Sequence, residues 1–314
     1  MEEKRKVAVI YGPTASGKTR LAAELALRHN GEVVSADSMQ IYRGMQIGTA
    51  KPTPQEMLGI PHHLLGILPP GERFSVAEYV TLAASCIEKI AARGHLPVLA
   101  GGTGLYLRSL LQNRPFSDEP ENPEIRAALQ KRAALEGGAA LLEDLRAVDP
   151  ETAERLHPND CKRIVRALEL YQKTGRTITE QNAVSQQMPE RYRAGKIAIT
   201  YADREVLYQR INDRVDAMFQ SGLLEEAQAV FASGCGPTAV QAIGYKELLP
   251  YFAGTVSLEE AKENIKRETR RYAKRQLTWL RRESGLHWIE ADRCGSFEHL
   301  LAEAERILQE EEIF

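Results

Sequence analysis

Four residues of the stretch GPTASGKT, namely Gly12, Gly17, Lys18 and Thr19, satisfy the pattern GxxxxGK[ST], whose chemistry is phosphate binding. Glycines let successive backbone N–H groups turn inward on an anion, and the helix that follows adds the positive end of its dipole. The lysine supplies a point charge, and the threonine hydroxyl can ligand Mg2+. Between them, Pro13, Thr14, Ala15 and Ser16 complete the loop. A protein that cleaves ATP or GTP ordinarily closes a core strand with an acid that holds Mg2+ and water. Here the run LPVLA ends in Gly101, Gly102, Thr103 and Gly104, which offers amides and a hydroxyl but no carboxylate. Asp37, after EVVSA, is the acid placed at a strand end near the loop. It can act as a metal ligand, as a base, or merely as a helix N-cap feeding SMQIYRG. Thr103 reads either as a turn hydroxyl or as a substrate hydrogen bond. Arg210 and Arg214 are four apart and share a helix face, either solvated and paired or aimed at phosphate; analogy with small P-loop kinases favours Arg214.

These residues need strands and turns to bring them together. VAVIYG, the glycine loop and TRLAAELALRHNG read as strand, turn and helix, with Gly31 as the helix stop. EVVSADS is a second strand, and a helix from about Ser75 to Arg93 leads through Gly94 into the strand and glycine turn of LPVLAGGTG. Alternating strands and helices imply a parallel sheet with ligands at the carboxyl ends of its strands. Pro115, Pro120 and Pro123 break this pattern, and the sequence then turns helical from Glu124 to about Gly175. Strand character resumes at KIAITYA, Lys196 to Ala202, followed by the amphipathic REVLYQRINDRVDAMFQSG. The expected fold is α/β, a P-loop-type parallel sheet core flanked by helices, with an all-helical insertion. The core takes residues 1–115 and 196–314 and the insertion residues 116–195.

Between Lys262 and Arg282 stand nine Lys or Arg against two Glu. Lys266, Arg270 and Lys274 form one i,i+4 row and Arg267, Arg271 and Arg275 the next, interleaved with Tyr272 and Trp279. So dense a like-charge face suits a phosphate backbone, although such residues can also be solvated or pair with the acidic tail Glu310 to Glu312. Lys162, Arg163 and Arg166 add a second basic surface on the insertion, so two modules could grip one folded RNA. The net charge of -2 over 314 residues neither supports nor excludes a nucleic-acid partner. A composition of 43% hydrophobic and 27% charged residues excludes disorder and fibrous repeats. Cys86, Cys161, Cys235 and Cys294 show no CxxC spacing and fit a reducing compartment. No apolar run approaches the roughly 20 residues of a membrane helix, and the N-terminus lacks a signal-peptide pattern. The expectation is a cytoplasmic protein without membrane contact. His62 and His63 have no second ligand at usable spacing and read as structural.

The stretches GPTASGKT, DSMQIYRGMQIGTAKP, PHHLLG, AGGTGLYL, HPNDCKRIVRALE, QAIGYKEL and YAKRQLTWLR, in this order over almost the whole chain, resemble the tRNA dimethylallyltransferases of bacterial type. That family prenylates N6 of the adenosine 3′-adjacent to the anticodon. The resemblance implies that the loop Gly12 to Thr19, with Mg2+, holds the diphosphate of dimethylallyl diphosphate as a leaving group, assisted by Lys18 and Arg214. It implies that Asp37 takes or holds the proton of the attacking amine and that Thr103 bonds near the reacting centre. Asp37, Ser38, Met39 and Gln40 would line the flipped adenine. Cys161, Lys162, Arg163, Ile164 and Val165, with Gln241, Ala242, Ile243, Gly244, Tyr245 and Lys246, would reach RNA. Arg126 is a further candidate, and Arg271, Lys274 and Arg275 of the basic helix complete the expected interface with the tRNA anticodon stem-loop. A monomer suffices for this reading. Its rivals are a P-loop small-molecule kinase, with Asp37 activating a hydroxyl, and a noncatalytic RNA-binding protein that senses nucleotide.

Overall fold

A computed structural model of the chain describes residues 4–113 and 123–314. They form two compact units, one of Met1–Leu111 with Arg191–Phe314 and one of Gln112–Glu190. In the first unit β1 (Lys6–Tyr11), β2 (Gly31–Ser35), β3 (His62–His63), β4 (Leu96–Gly101), β5 (Arg193–Thr200) and β6 (His287–Glu290) make one parallel sheet, ordered β3-β2-β4-β1-β5-β6. The helices before the second unit are α1 (Lys18–Arg28), α2 (Val76–Ala92) and α3 (Gly104–Leu111). The second unit holds α4 (Pro123–Glu136), α5 (Gly138–Val148), α6 (Pro150–Glu154), α7 (Cys161–Thr174) and α8 (Ile178–Gln187). The first unit then continues with α9 (Arg204–Gln220), α10 (Leu223–Ala232), α11 (Leu249–Phe252), α12 (Leu258–Leu280) and α13 (Phe297–Glu310).

Successive residues of a strand face opposite sides of a sheet, and β1 sorts its side chains accordingly. Val7, Val9 and Tyr11 enter one apolar cluster with Ile87 of α2 and Leu107 of α3. Ala8 and Ile10 enter another with Leu21 and Leu25 of α1 and Leu301 and Leu308 of α13. A parallel sheet covered on both faces needs this near-continuous apolar character, which is why VAVIY reads as a strand without alternation. Because every strand runs the same way, the ends of β1, β2, β4 and β5 lie along one edge. β5 begins at Arg193, ahead of the expected Lys196, since Lys6–Ala8 pair with Arg193–Gly195 through backbone groups whatever the side chains.

Local chemistry sets the boundaries. Ser75 and Glu78 form a reciprocal capping box at the start of α2. The first helix does not stop on Gly31 as the sequence suggests: His29 is its C-cap, Asn30 takes the left-handed turn (φ 49°), and Gly31 already belongs to β2. Asn tolerates that conformation because its short side chain can bond locally. His62 bonds the Ile60 carbonyl at 2.9 Å, and His63 bonds Glu32, which is 3% exposed, at 2.6 Å. Burial alone would raise the Glu32 carboxyl, but bonds from Arg93, His63 and His95 hold it down at about 2. Both histidines therefore serve the sheet edge.

In the second unit every element among the described residues is helical, around a core that includes Leu129, Leu141, Leu145, Ile164 and Leu168. Of the three expected chain breakers, Pro115 and Pro120 lie outside the described residues, and Pro123 opens α4, where a missing N–H costs nothing. Among the described residues no helix is long and apolar enough to cross a membrane.

Candidate active site

The loop after β1 turns into α1 through Gly17, whose φ of 89° is a left-handed conformation that glycine adopts without a side-chain clash. Lys18 and Thr19, the first two residues of α1, point their side chains into a cavity of about 290 Å³ together with Thr14. The end of β2 brings in the second group. Asp37 Oδ1 accepts the amides of Met39 (2.9 Å) and Gln40 (3.3 Å), but SMQIYRG is turn and not helix, so the expected helix cap is a turn closure instead; Asp37 through Gln40 all line the same cavity. Arg214 of α9 joins them, as do Gln241 to Gly244, Lys246, and Arg275 of α12. Arg210 instead donates from Nε to the Ala15 carbonyl at 3.1 Å, bracing the loop.

Charge in this cavity is poised for an anion. Burial pushes the Lys18 ammonium down to about 8; Asp37 counters this and Arg214 adds to it. Arg214 is lowered mainly by burial, offset by Glu56 and Asp37. Of the charged residues that line the cavity four are basic (Lys18, Arg214, Lys246 and Arg275) and one is acidic (Asp37), which leaves positive charge to be met by a ligand. Among the described residues no cluster of three or more His, Cys, Asp or Glu could hold a metal ion. The Thr19 hydroxyl and Asp37 carboxylate are hard oxygen donors on the same cavity. Mg2+ that completes its shell with phosphate oxygens and water needs no more from the protein.

Thr103 sits at the junction of two turns: its Oγ1 accepts the Ser38 amide at 3.0 Å. It lines a neighbouring cavity of about 200 Å³ with Gly12, Gly102 and Trp279, and Tyr272, Arg275 and Gln276 line both cavities. Pro13 contributes its carbonyl to Lys18 Nζ (3.3 Å), while Ala15 and Ser16 are buried in the loop itself.

The chain matches the IPP transferase family over residues 40–283 and the isopentenyl transferase family over residues 5–69. The tRNA dimethylallyltransferase of Geobacillus thermodenitrificans is 51% identical over 286 residues, 91% of this chain and 90% of that one. The chain belongs to the tRNA dimethylallyltransferase family. Members of this family are prenyltransferases, and this chain is an enzyme of that class. Its fold aligns with the full-length tRNA isopentenylpyrophosphate transferase of Bacillus halodurans at a TM-score of 0.71 and 42% identity, over 98% of each chain. A eukaryotic dimethylallyltransferase acting on tRNA aligns at a TM-score of 0.75 and 34% identity, over 88% of this chain and 70% of its own.

Within this family member, not every residue expected at the RNA surface is free to face it. In α7, Cys161 is half-buried, Lys162 and Arg163 are exposed, and Val165 is 5% exposed. Ile164 is fully buried in the helical core, which corrects the expectation that its side chain reaches RNA. A helix cannot turn five consecutive residues to one side. Tyr245 is likewise fully buried, with its hydroxyl on Glu226 at 2.7 Å, and Ala242 is 3% exposed. Arg126 is an ion-pair partner of Glu169, whose side chain is 1% exposed (2.9 Å). Arg271 is exposed and paired with Glu268, and Lys274 is exposed; neither lines the cavity. Part of the basic face also serves the protein. Lys262 and Lys266 bind Asp216, and Arg270 binds Asn212, fastening α12 to α9.

Sequence reasoning missed Gln276. Its Oε1 accepts the Thr14 amide and its Nε2 donates to the Gly102 carbonyl, both at 3.0 Å. Tyr272, named there only as an aromatic of the basic face, lines both cavities, and burial together with Asp37 raises its phenol so that it stays neutral. The available signal for Gln276 was its place between Tyr272 and Trp279, at three-and-four spacing, in an uncharged stripe of a helix read for its charges and aromatics.

Proposed function

We propose that the enzyme transfers a dimethylallyl group from dimethylallyl diphosphate to N6 of the adenosine 3′-adjacent to the anticodon of tRNA, releasing diphosphate. The observation that carries this reading is one cavity lined by Lys18, Thr19, Arg214 and Asp37. Cationic donors for a departing anion and a carboxylate for an incoming amine thus face a shared space. The N6 lone pair attacks the allylic carbon, the bond from that carbon to the diphosphate oxygen breaks, and the N6 proton passes to Asp37. An allylic centre spreads its developing charge, so stabilisation of the leaving group by fixed donors carries much of the rate. Lys18 and Arg214 are such donors. Mg2+, held by Thr19 and the diphosphate, would add Lewis-acid stabilisation of the same charge.

The adenine amine is a weak nucleophile, which makes its alignment important. Asp37 to Gln40 and Gln241 to Lys246 would hold the flipped base, and Thr103 would fix the Asp37 turn through Ser38. Taking one base out of an anticodon loop costs a few kcal/mol, less than in a duplex. Lys162, Arg163, Arg126, Lys274 and Arg275 would contact RNA phosphates, with residues 1–115 and 196–314 as catalytic core and 116–195 as the tRNA-contacting insertion. The enzyme would act as a cytoplasmic monomer. Incubation with labelled dimethylallyl diphosphate, Mg2+ and tRNA, followed by nucleoside analysis, tests this. Label in N6-dimethylallyladenosine without ATP is the expected result; ATP-dependent phosphorylation of a small acceptor, or RNA binding without transfer, would overturn it.

A further inference from the structure

Glu226 of α10 belongs to none of the expected motifs and does not line the cavity. Its carboxylate is nevertheless heavily used. Oε2 accepts the amides of Gln46 and Ile47, both at 2.8 Å, and Oε1 accepts those of Ile47 and Gly48, both at 2.9 Å, together with the Tyr245 hydroxyl at 2.7 Å. Three successive amides converging on one anion form a nest, in which oriented backbone dipoles do the work of a counter-ion. Bonds to an ionised acceptor are roughly twice as strong as neutral ones.

The two segments gathered in this way are both walls of the cavity. Gly48 to Ala50 form one stretch and Gln241 to Lys246, which flank Tyr245, the other. They are in tight contact: a Cβ on Gly48 would stand 2.5 Å from the Tyr245 ring, so only glycine fits there. The order continues toward the reacting groups. Gln40 Nε2 donates to the carbonyls of Thr49 (3.2 Å) and Ala50 (3.0 Å), and its Oε1 accepts the Ser35 hydroxyl (3.1 Å). Its own amide bonds Asp37 Oδ1. Hydrogen bonds joined through the backbone of residues 48–50 thus connect Glu226 to the Asp37 turn. The anion loop is tied down separately, by Gln276 and Arg210.

We propose that Glu226 is a positioning residue for the RNA-facing wall: it locks the 46–50 loop onto the 241–246 segment and, through Gln40, sets the turn that presents Asp37. The proposal rests on the prenyl-transfer reading above. Its signature is asymmetric, because loosening this wall affects the bound adenine while leaving the diphosphate cradle intact.

The test is steady-state kinetics of the full chain, varying tRNA and dimethylallyl diphosphate separately, for Glu226→Gln and Tyr245→Phe. Glutamine keeps the shape but turns one acceptor oxygen into a donor facing N–H groups. The expected result is a fall of about tenfold or more in kcat/KM for tRNA with Glu226→Gln, and of about two- to fivefold with Tyr245→Phe. KM for dimethylallyl diphosphate should stay within about twofold of the parent value. A kcat/KM for tRNA unchanged in both variants, or a parallel rise in both KM values, would overturn the proposal. If Glu226→Gln fails to fold, Tyr245→Phe decides in the same terms. Absence of any transfer by the unmodified protein would instead sink the underlying reading, a result visible before either variant is made.

Discussion

Gln276 Oε1 accepts the amide proton of Thr14 at 3.0 Å, which joins helix α12 directly to the anion loop. Its other end donates to the Gly102 carbonyl, so one side chain spans the turns after β1 and β4. Gln276→Leu keeps the volume approximately but orphans an N–H and a carbonyl, at a cost of about 1–3 kcal/mol in stability. The loop should also lose its fixed curvature. We expect KM for dimethylallyl diphosphate to rise about tenfold while tRNA affinity changes little. Thermal unfolding and substrate titrations measure the two effects; an unchanged KM would show that the loop keeps its shape unaided.

In the proposed mechanism Asp37 combines two roles, closing a turn and taking a proton, that a pair of variants separates. Its Oδ1 accepts the Met39 and Gln40 amides, a task the Oδ1 of asparagine performs equally well. Asp37→Asn should therefore fold and bind tRNA normally yet lose about a hundredfold to ten-thousandfold in kcat, the usual contribution of a positioned base. Asp37→Ala should lose the turn as well and weaken tRNA binding. Robust prenyl transfer by Asp37→Asn would restrict this residue to closing its turn.

The lowered Lys18 gives the enzyme a pH dependence with a defined sign. Burial, together with Arg214, disfavours its charged form, and Asp37 only partly restores it, leaving the group at about 8. Above that pH the free enzyme loses a cation from its anion site, so kcat/KM for dimethylallyl diphosphate should fall as pH rises through about 8. For folding the direction is opposite. A lysine lowered from 10.5 to about 8 binds fewer protons folded than unfolded in that interval, so its unfavourable contribution to stability is relieved as pH rises from 8 to 10.5. In Lys18→Gln the alkaline limb of the rate profile should disappear; a limb that persists at the same pH belongs to another group.

The parts of this molecule that were legible in the sequence are those with local causes. VAVIY followed by GPTASGKT names a strand, an anion loop and a helix because the left-handed turn calls for glycine at Gly17 and an anion calls for a cation such as Lys18 beside it. Asp37 and Thr103 were recognisable as strand-end residues by equally local signals. Gln276 and Glu226 were not, since their partners are 262 and about 180 residues away in sequence and glutamine and glutamate carry no local signature. The basic helix was legible in its charge but not in its division of labour. Whether Lys266 faces solvent or Asp216 depends on where α9 packs, which no pattern within α12 reveals.

The run Cys161 to Val165 lets the proposed binding role be separated from a folding role, since neighbours in sequence differ sharply in exposure. Lys162 and Arg163 are exposed, whereas Ile164 is fully buried among Leu129, Leu141 and Leu168. Lys162→Ala and Arg163→Ala should each weaken tRNA binding, lower the slope of log affinity against log salt by about one, and leave the melting temperature unchanged. Ile164→Ala should keep that slope and cost about 2–5 kcal/mol of stability through the cavity it leaves. Arg126→Ala falls between them, because it removes a half-buried cation and also weakens the pairing of the buried Glu169 carboxylate, which Arg166 meets at 3.3 Å. It should lower both the salt slope and the melting temperature. Salt titrations of binding beside thermal melts separate the three behaviours, and an Ile164→Ala protein with parental stability but a lowered slope would return that side chain to the RNA surface.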